Sequence, residues 1–229
     1  MELLRSVLKN LPEFQELTAA LEGGKSPAAV SGLAAVHRAH FAAALGQETG
    51  RPVVVVCADE GEAGRMARDL SYLTGGEVPV LASRSFVFHS IATVSRQWEH
   101  RRLALLWKLR SGELPCLVAT VEALQQRTLP PEILDGACTV LEPGQQADLN
   151  QLTEALTAAG YVRCDQVEGA GQFALRGGIL DVYSPGMAAP VRAEFWGDEL
   201  DTMGTFDPST QRRTENVDRA VLLPAAETL

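Results

Sequence analysis

Between Gly171 and Arg213 the chain carries its densest set of groups able to do chemistry: Arg176, Arg192 and Glu194, with the carboxylates Asp181, Asp198, Glu199 and Asp201 close by. A guanidinium is planar and permanently charged, pairs bidentately with carboxylates and stacks on aromatic rings, so arginines on a sheet face suit recognition of another protein surface. Two carboxylates can instead serve as an acid and base pair in hydrolysis. Here the acids lie beside a Gly197-Asp198 turn, the ordinary composition of an exposed hairpin, and no Ser, Cys or His nucleophile motif accompanies them. Recognition is the better-supported chemistry, and no catalytic residue is expected.

A second place for chemistry is Ser31-Gly32-Leu33-Ala34-Ala35-Val36-His37-Arg38-Ala39. A strand-to-helix turn here would be the position of a phosphate-binding loop, whose pattern G-x-x-x-x-G-K-[ST] needs a second glycine, a lysine and a hydroxyl for magnesium. In register from Gly32 the chain has His37, Arg38 and Ala39. The imidazole would fill the cradle and Ala39 has no oxygen for a metal, so neither ATP nor magnesium is expected to bind. His37 and His40 have no Cys, Asp or Glu nearby to complete a metal site. Cys57, Cys116, Cys138 and Cys164 form no CxxC pair, and reduced core thiols are expected.

Short strands must position the arginines. Phe173, Leu175, Ile179, Asp181 and Tyr183 alternate against Ala174, Arg176, Leu180 and Val182, with Gly177-Gly178 read as a bulge or bend. In the next strand Val191, Ala193 and Phe195 oppose Arg192, Glu194 and Trp196. The product is a sheet with one apolar face and one face carrying Arg176, Arg192 and Glu194. If Arg163 joins them, the patch is compact and solvent-facing, and truncating Arg176 or Arg192 should leave thermal stability nearly unchanged.

The first half has an α/β rhythm. Helices are expected over 2–21 (interrupted by Pro12), 33–45, 61–73, Ser95–Arg110 and 121–126. Strands are expected at Ala28–Val30, Pro52–Cys57, Val78–Leu81 and Cys116–Ala119. Alternation of this kind implies a parallel sheet covered on both faces. Polar residues and Pro130-Pro131 mark a boundary. The domains read as residues 1–126, α/β; 127–212, a smaller α+β domain with an antiparallel sheet, a helix over Asp148–Ala159 and a strand at Cys138–Leu141; and 213–229, a segment packing back on the first domain.

The 229 residues carry a net charge of −9, which argues against stand-alone DNA binding because such affinity comes from basic, phosphate-contacting surfaces. The cluster Arg96, Arg101, Arg102, Lys108 and Arg110 is read as the solvated face of a helix opposite Trp98, Leu105, Leu106 and Leu109. No apolar run reaches 18 residues and the N-terminus lacks a signal-peptide profile, so a cytoplasmic chain without membrane contact is expected.

Arg176-Gly-Gly-Ile-Leu-Asp181, Arg192-Ala-Glu-Phe-Trp-Gly-Asp-Glu199 and Phe206-Asp-Pro-Ser-Thr-Gln-Arg212 follow one another closely. As a set they resemble the region shared by the excinuclease B subunit and the bacterial transcription-repair coupling factor. The resemblance implies a first domain like a degenerate P-loop NTPase or helicase domain and a second domain that docks on the excinuclease A subunit. Its contacts, carried over by position, are Arg163, Arg176, Arg192 and Glu194, with Phe173 and Trp196 as aromatic neighbours; Ala174 stands where the excinuclease subunit often has a second arginine. The excinuclease B subunit has a tyrosine-rich DNA-gripping hairpin, whereas Ser83–Ala92 is short and has no tyrosine. With the missing phosphate loop, this points to the coupling factor's N-terminal module, recruiting the excinuclease A subunit to a stalled transcription complex. The fragment itself is expected to be non-catalytic and without cofactor. ATP, Mg, RNA polymerase and DNA translocation would belong to parts of the parent beyond Leu229, whose C-terminal domains would contact this face. The competing readings are a residual ATP- or DNA-binding helicase-like domain and an autoinhibitory scaffold.

Overall fold

In the computed structural model, residues 7–83 and 96–227 are described. In chain order the elements are α1 (Pro12–Glu22), α2 (Ala35–Thr49), β1 (Val53–Cys57), α3 (Glu60–Thr74), β2 (Val80–Leu81), α4 (Gln97–Arg110), β3 (Cys116–Thr120), α5 (Val121–Gln125) and α6 (Pro131–Ala137). Then come β4 (Thr139–Leu141), α7 (Leu149–Ala158), β5 (Val162–Arg163), β6 (Gln172–Arg176), β7 (Ile179–Tyr183), β8 (Val191–Trp196), β9 (Glu199–Phe206), β10 (Arg213–Asn216) and β11 (Ala220–Leu222). They form two compact units, Met1–Phe86 with Ser111–Arg127, and Val87–Arg110 with Thr128–Leu229.

The first unit is built on a parallel sheet of order β1-β3-β2. The run of four valines suits a strand rather than a helix because β-branching restricts the side chain on a helical backbone. Ala39 of α2 and Ala63, Met66, Ala67 and Leu70 of α3 close over Cys57, Cys116 and Val118. Asp59 starts α3 by accepting from the Glu62 amide at 2.8 Å, and Gly75 ends it in a left-handed conformation, φ 79°. The strand expected at Ala28–Val30 does not form. No ladder pairs this segment with β1, which remains an edge strand, and Val30 is exposed. Ser95 and residues 84–92 lie outside the described residues.

The second unit holds a six-stranded sheet of order β10-β9-β8-β7-β6-β5, antiparallel except for the β5–β6 pair. Phe173, Leu180, Val182, Val191, Ala193 and Met203 bury one face against Leu152 and Leu156 of α7 and against Leu141 and Leu222. The last two belong to the antiparallel β4–β11 ladder. The final strand therefore pairs inside the second unit and not with the first, as the reading of 213–229 had it. Backbone pairing from Ala225 N to Ala159 O (2.8 Å) and the Tyr161 hydroxyl donating to Leu223 O (2.6 Å) continue that attachment.

The position of α4 also differs from the sequence reading, which assigned it to a domain ending at 126. It belongs to the second unit, and its cationic residues are mostly engaged there. Arg102 is buried, pairs with Glu227 at 2.9 Å and lies over the Trp98 ring. His100 Nε2 donates to Ala225 O at 3.1 Å, Arg96 to Gly160 O at 2.9 Å, and Arg110 pairs with Asp135 at 2.9 Å. A solvated helix face describes Arg96, Arg101, Lys108 and Arg110, which are exposed, but not the buried Arg102.

Gly177-Gly178 is the two-residue tip of a hairpin, not a bulge within one strand. Arg176 faces Ile179 across it, and Gly177 has φ 62°. The reversal regroups the side chains: Phe173 and Leu175 share a face with Val182 and Leu180, while Ala174 and Arg176 share the other with Asp181 and Ile179. A Cβ on Gly178 would lie 2.7 Å from Phe195 O, so the tip also needs glycine to approach β8.

Candidate docking site

The three sequence motifs converge on one guanidinium. Asp181 and Arg192 are directly opposite on β7 and β8. Arg192 Nε donates to Asp181 Oδ1 at 2.6 Å and Nη2 to Oδ2 at 2.8 Å, a bidentate pair. The same Oδ2 accepts from Arg176 Nη2 at 2.6 Å. Below the pair, the Arg192 guanidinium stacks 4.7 Å over the Phe206 ring, and Nη1 donates to Gln211 O at 3.2 Å. Phe206 and Gln211 come from the third motif, whose turn is built by Asp207. Its carboxylate accepts from the Ser209 amide and hydroxyl and the Thr210 amide, which hold its pKa below the usual carboxylate value.

Burial separates the roles of the two arginines. The Asp181 residue is 0% exposed, and the Arg192 side chain 18%. Hydrogen bonding to Asp181 raises the Arg192 pKa further above its already high value. Arg192 is thus held inside the sheet's polar face, unlike the solvent-facing group the sequence suggested. Arg176, with 52% of its side chain exposed, is the part of the triad that reaches solvent. Asp181, read from sequence as an exposed hairpin acid, is the buried hub.

Glu194, one register step toward the hairpin tip, faces Ile179 on β7 and pairs with Arg213 Nη1 at 3.0 Å. Arg213 reaches it by crossing Gly204, where a Cβ would collide with Arg213 Nε and lie 2.5 Å from Glu215 O. Trp196 ends β8 and is 86% exposed, beside the Gly197-Asp198 turn. A tryptophan that bare carries a large apolar area into water, as at binding surfaces.

The remaining expected contact residues sit elsewhere. Arg163 is in register with Phe173, so it projects to the α7 side of the sheet, opposite Arg176 and Arg192. There it lines an open groove of about 550 Å³ with Asn150, Thr153, Glu154 and Thr157. Phe173 is a core residue, 1% exposed, with no surface for a partner. Sequence reasoning missed Phe206, Gln211 and Arg213 as supports of the face. The signal for Asp181 was a charged residue inside the apolar run Ile179-Leu-Asp-Val-Tyr183, which demands a buried partner.

At the other expected site, Gly32 has φ 83° and precedes α2 without a strand before it. His37 and Arg38 are exposed in the opening turns of that helix, where Arg38 lies 3.7 Å from Glu62, and Ala39 is buried in the first-unit core. Among the described residues no group of three or more His, Cys, Asp or Glu side chains is placed to hold a metal ion. The four cysteines are unpaired. No described helix is long and apolar enough to cross a membrane.

Residues 140–227 match the family described as the UvrB interaction domain. The chain is 28% identical over 228 residues, 99% of its length, to the transcription-repair-coupling factor of Bacillus subtilis (strain 168). It is 34% identical over 211 residues to that of Myxococcus xanthus, covering 86% of this chain, and 32% over 189 residues to that of Escherichia coli (strain K12), covering 82%. The matches span 19%, 17% and 16% of those three relatives, so the chain corresponds to less than a fifth of each.

Proposed function

Because the chain belongs to the family of bacterial transcription-repair coupling factors, we propose that it is a non-catalytic docking module that recruits the excinuclease A subunit to stalled RNA polymerase for nucleotide excision repair. The observation that carries this reading is the polar sheet face. Three separate motifs are used to fix Arg192 from behind, and what they present outward is Arg176 together with the bare Trp196. A half-exposed guanidinium and an exposed indole, each ending a strand of the same sheet, have the composition of an interface anchor. Arg163, on the opposite side, is assigned a separate contact reached around the short β5 edge. In this reading the parent chain's motor chemistry, with ATP and Mg, and its contacts with RNA polymerase and DNA belong to parts beyond these residues.

Isothermal titration of the 229-residue chain against the excinuclease A subunit tests the proposal. Arg176→Ala should weaken binding by about tenfold to thirtyfold, the range of an interface hot spot. Its thermal midpoint should stay near that of the unmodified chain, because Asp181 keeps Arg192 as a partner. A stability loss without a binding loss would make Arg176 structural. Absence of binding by the unmodified chain would favour the scaffold reading, and saturable ATP binding the helicase-like one.

A further inference from the structure

Resting on the docking reading above, we propose that Asp181 is a positioning residue for recognition: it fixes the Arg176 guanidinium on the docking face before the partner arrives. The geometry differs from that of a simple buried ion pair. Both Asp181 oxygens are already engaged by Arg192, at 2.6 and 2.8 Å, so the charge of the buried carboxylate is compensated without Arg176. Arg176 nevertheless donates to Oδ2 at 2.6 Å through a single nitrogen, Nη2. Three charges meet in this triad, and one carboxylate against two guanidiniums leaves an excess of one positive charge. Arg192 is enclosed by Phe206 and Gln211, so the excess is displayed through Arg176.

A free arginine side chain has many rotamers, and ordering one at an interface carries an entropic cost. Tethering Nη2 in the unbound protein removes part of that cost in advance. The guanidinium plane is set while its remaining donors stay available. The neighbouring charge does not compete for them, because Glu194 is engaged by Arg213 at 3.0 Å. The group such a tethered fork fits is a carboxylate on the partner, beside an apolar side chain that can meet Ile179, itself exposed and in register with Arg176.

The test is a double-mutant cycle on the 229-residue chain: unmodified, Asp181→Asn, Arg176→Ala and both together, each titrated with the excinuclease A subunit. Asn keeps the volume and removes the charge. Asp181→Asn is expected to lower affinity by at least about fivefold, and the double variant to bind within about twofold of Arg176→Ala alone. Effects that multiply in the double variant, or unchanged affinity in Asp181→Asn, would overturn the positioning role. A second measurement needs no Asp181 variant and so does not depend on its folding. In the unmodified, unbound chain, nitrogen-15 spectra of the arginine side chains should show slow guanidinium rotation at Arg176; rapid averaging there would equally overturn the proposal. If the unmodified chain fails to bind while Arg176 rotates slowly, the docking reading fails and the tether stands.

Discussion

Arg192 and Arg176 are the same residue type, sixteen positions apart, and share a carboxylate, yet one is largely covered and the other half exposed. Removing Arg192 leaves Asp181 buried with one half-exposed partner and strips the ring of Phe206 of its cover. Loss of one partner of a buried pair costs on the order of 3 kcal/mol. Arg192→Ala is therefore expected to destabilise the second unit by about that amount in denaturant unfolding followed by far-ultraviolet circular dichroism, against less than about 1 kcal/mol for the half-solvated Arg176. Equal effects of the two substitutions would show that Asp181 does not distinguish them. The expectation of unchanged stability was reasonable for an arginine on the polar side of a strand. The burial of Arg192 argues for a loss instead, because polar-side residues can still be roofed over, here by the turn that follows Phe206.

At the scale of elements, the attachment of α4 to the segment after β11 makes a testable demand on pH. His100 is buried, and burial lowers its pKa below the usual 6.5, opposed by its hydrogen bond to Ala225 O and by Glu99 and reinforced by Arg96. The folded state therefore favours the neutral ring. Such a group contributes stability in full above the unfolded value of 6.5, and the contribution is lost as pH falls below it, because the unfolded chain binds the proton more readily. Glu227, raised above its usual 4.5 by burial, acts with the opposite sign. Unfolding free energy is expected to fall as pH drops below about 6.5, and His100→Gln to flatten that slope. An unchanged slope in the variant would place the titrating group elsewhere.

At the scale of the whole molecule, a net charge of −9 and a helix α2 that starts with no strand before it bear on what the chain should ignore. A phosphate loop offers converging backbone N–H groups at a helix start; α2 instead opens with exposed His37 and Arg38 after an extended Ala34. No saturable binding of a fluorescent ATP analogue in magnesium is expected at micromolar concentrations. Saturation abolished by substitution at Arg38 would restore a nucleotide site to the first unit.

The sequence by itself determined most of the element types, though neither the absence of a strand at Ala28–Val30 nor the helix Pro131–Ala137, together with the parallel character of β1 and β3, the polar face bearing Arg192 and Glu194, and the family. These follow from periodicity, β-branching and motif order, all of which are local. What only the tertiary structure decided was long-range. The two-residue reversal at Gly177-Gly178 placed Asp181 with Arg176, the parallel pairing of β5 sent Arg163 to the other side, and the closing strand joined β4. Arg102 of α4 found Glu227, 125 residues away. A charged side chain's solvation depends on what covers it, and that cover comes from distant segments. Strand alternation identified the face; the packing of the second unit decided which of its arginines stayed in water.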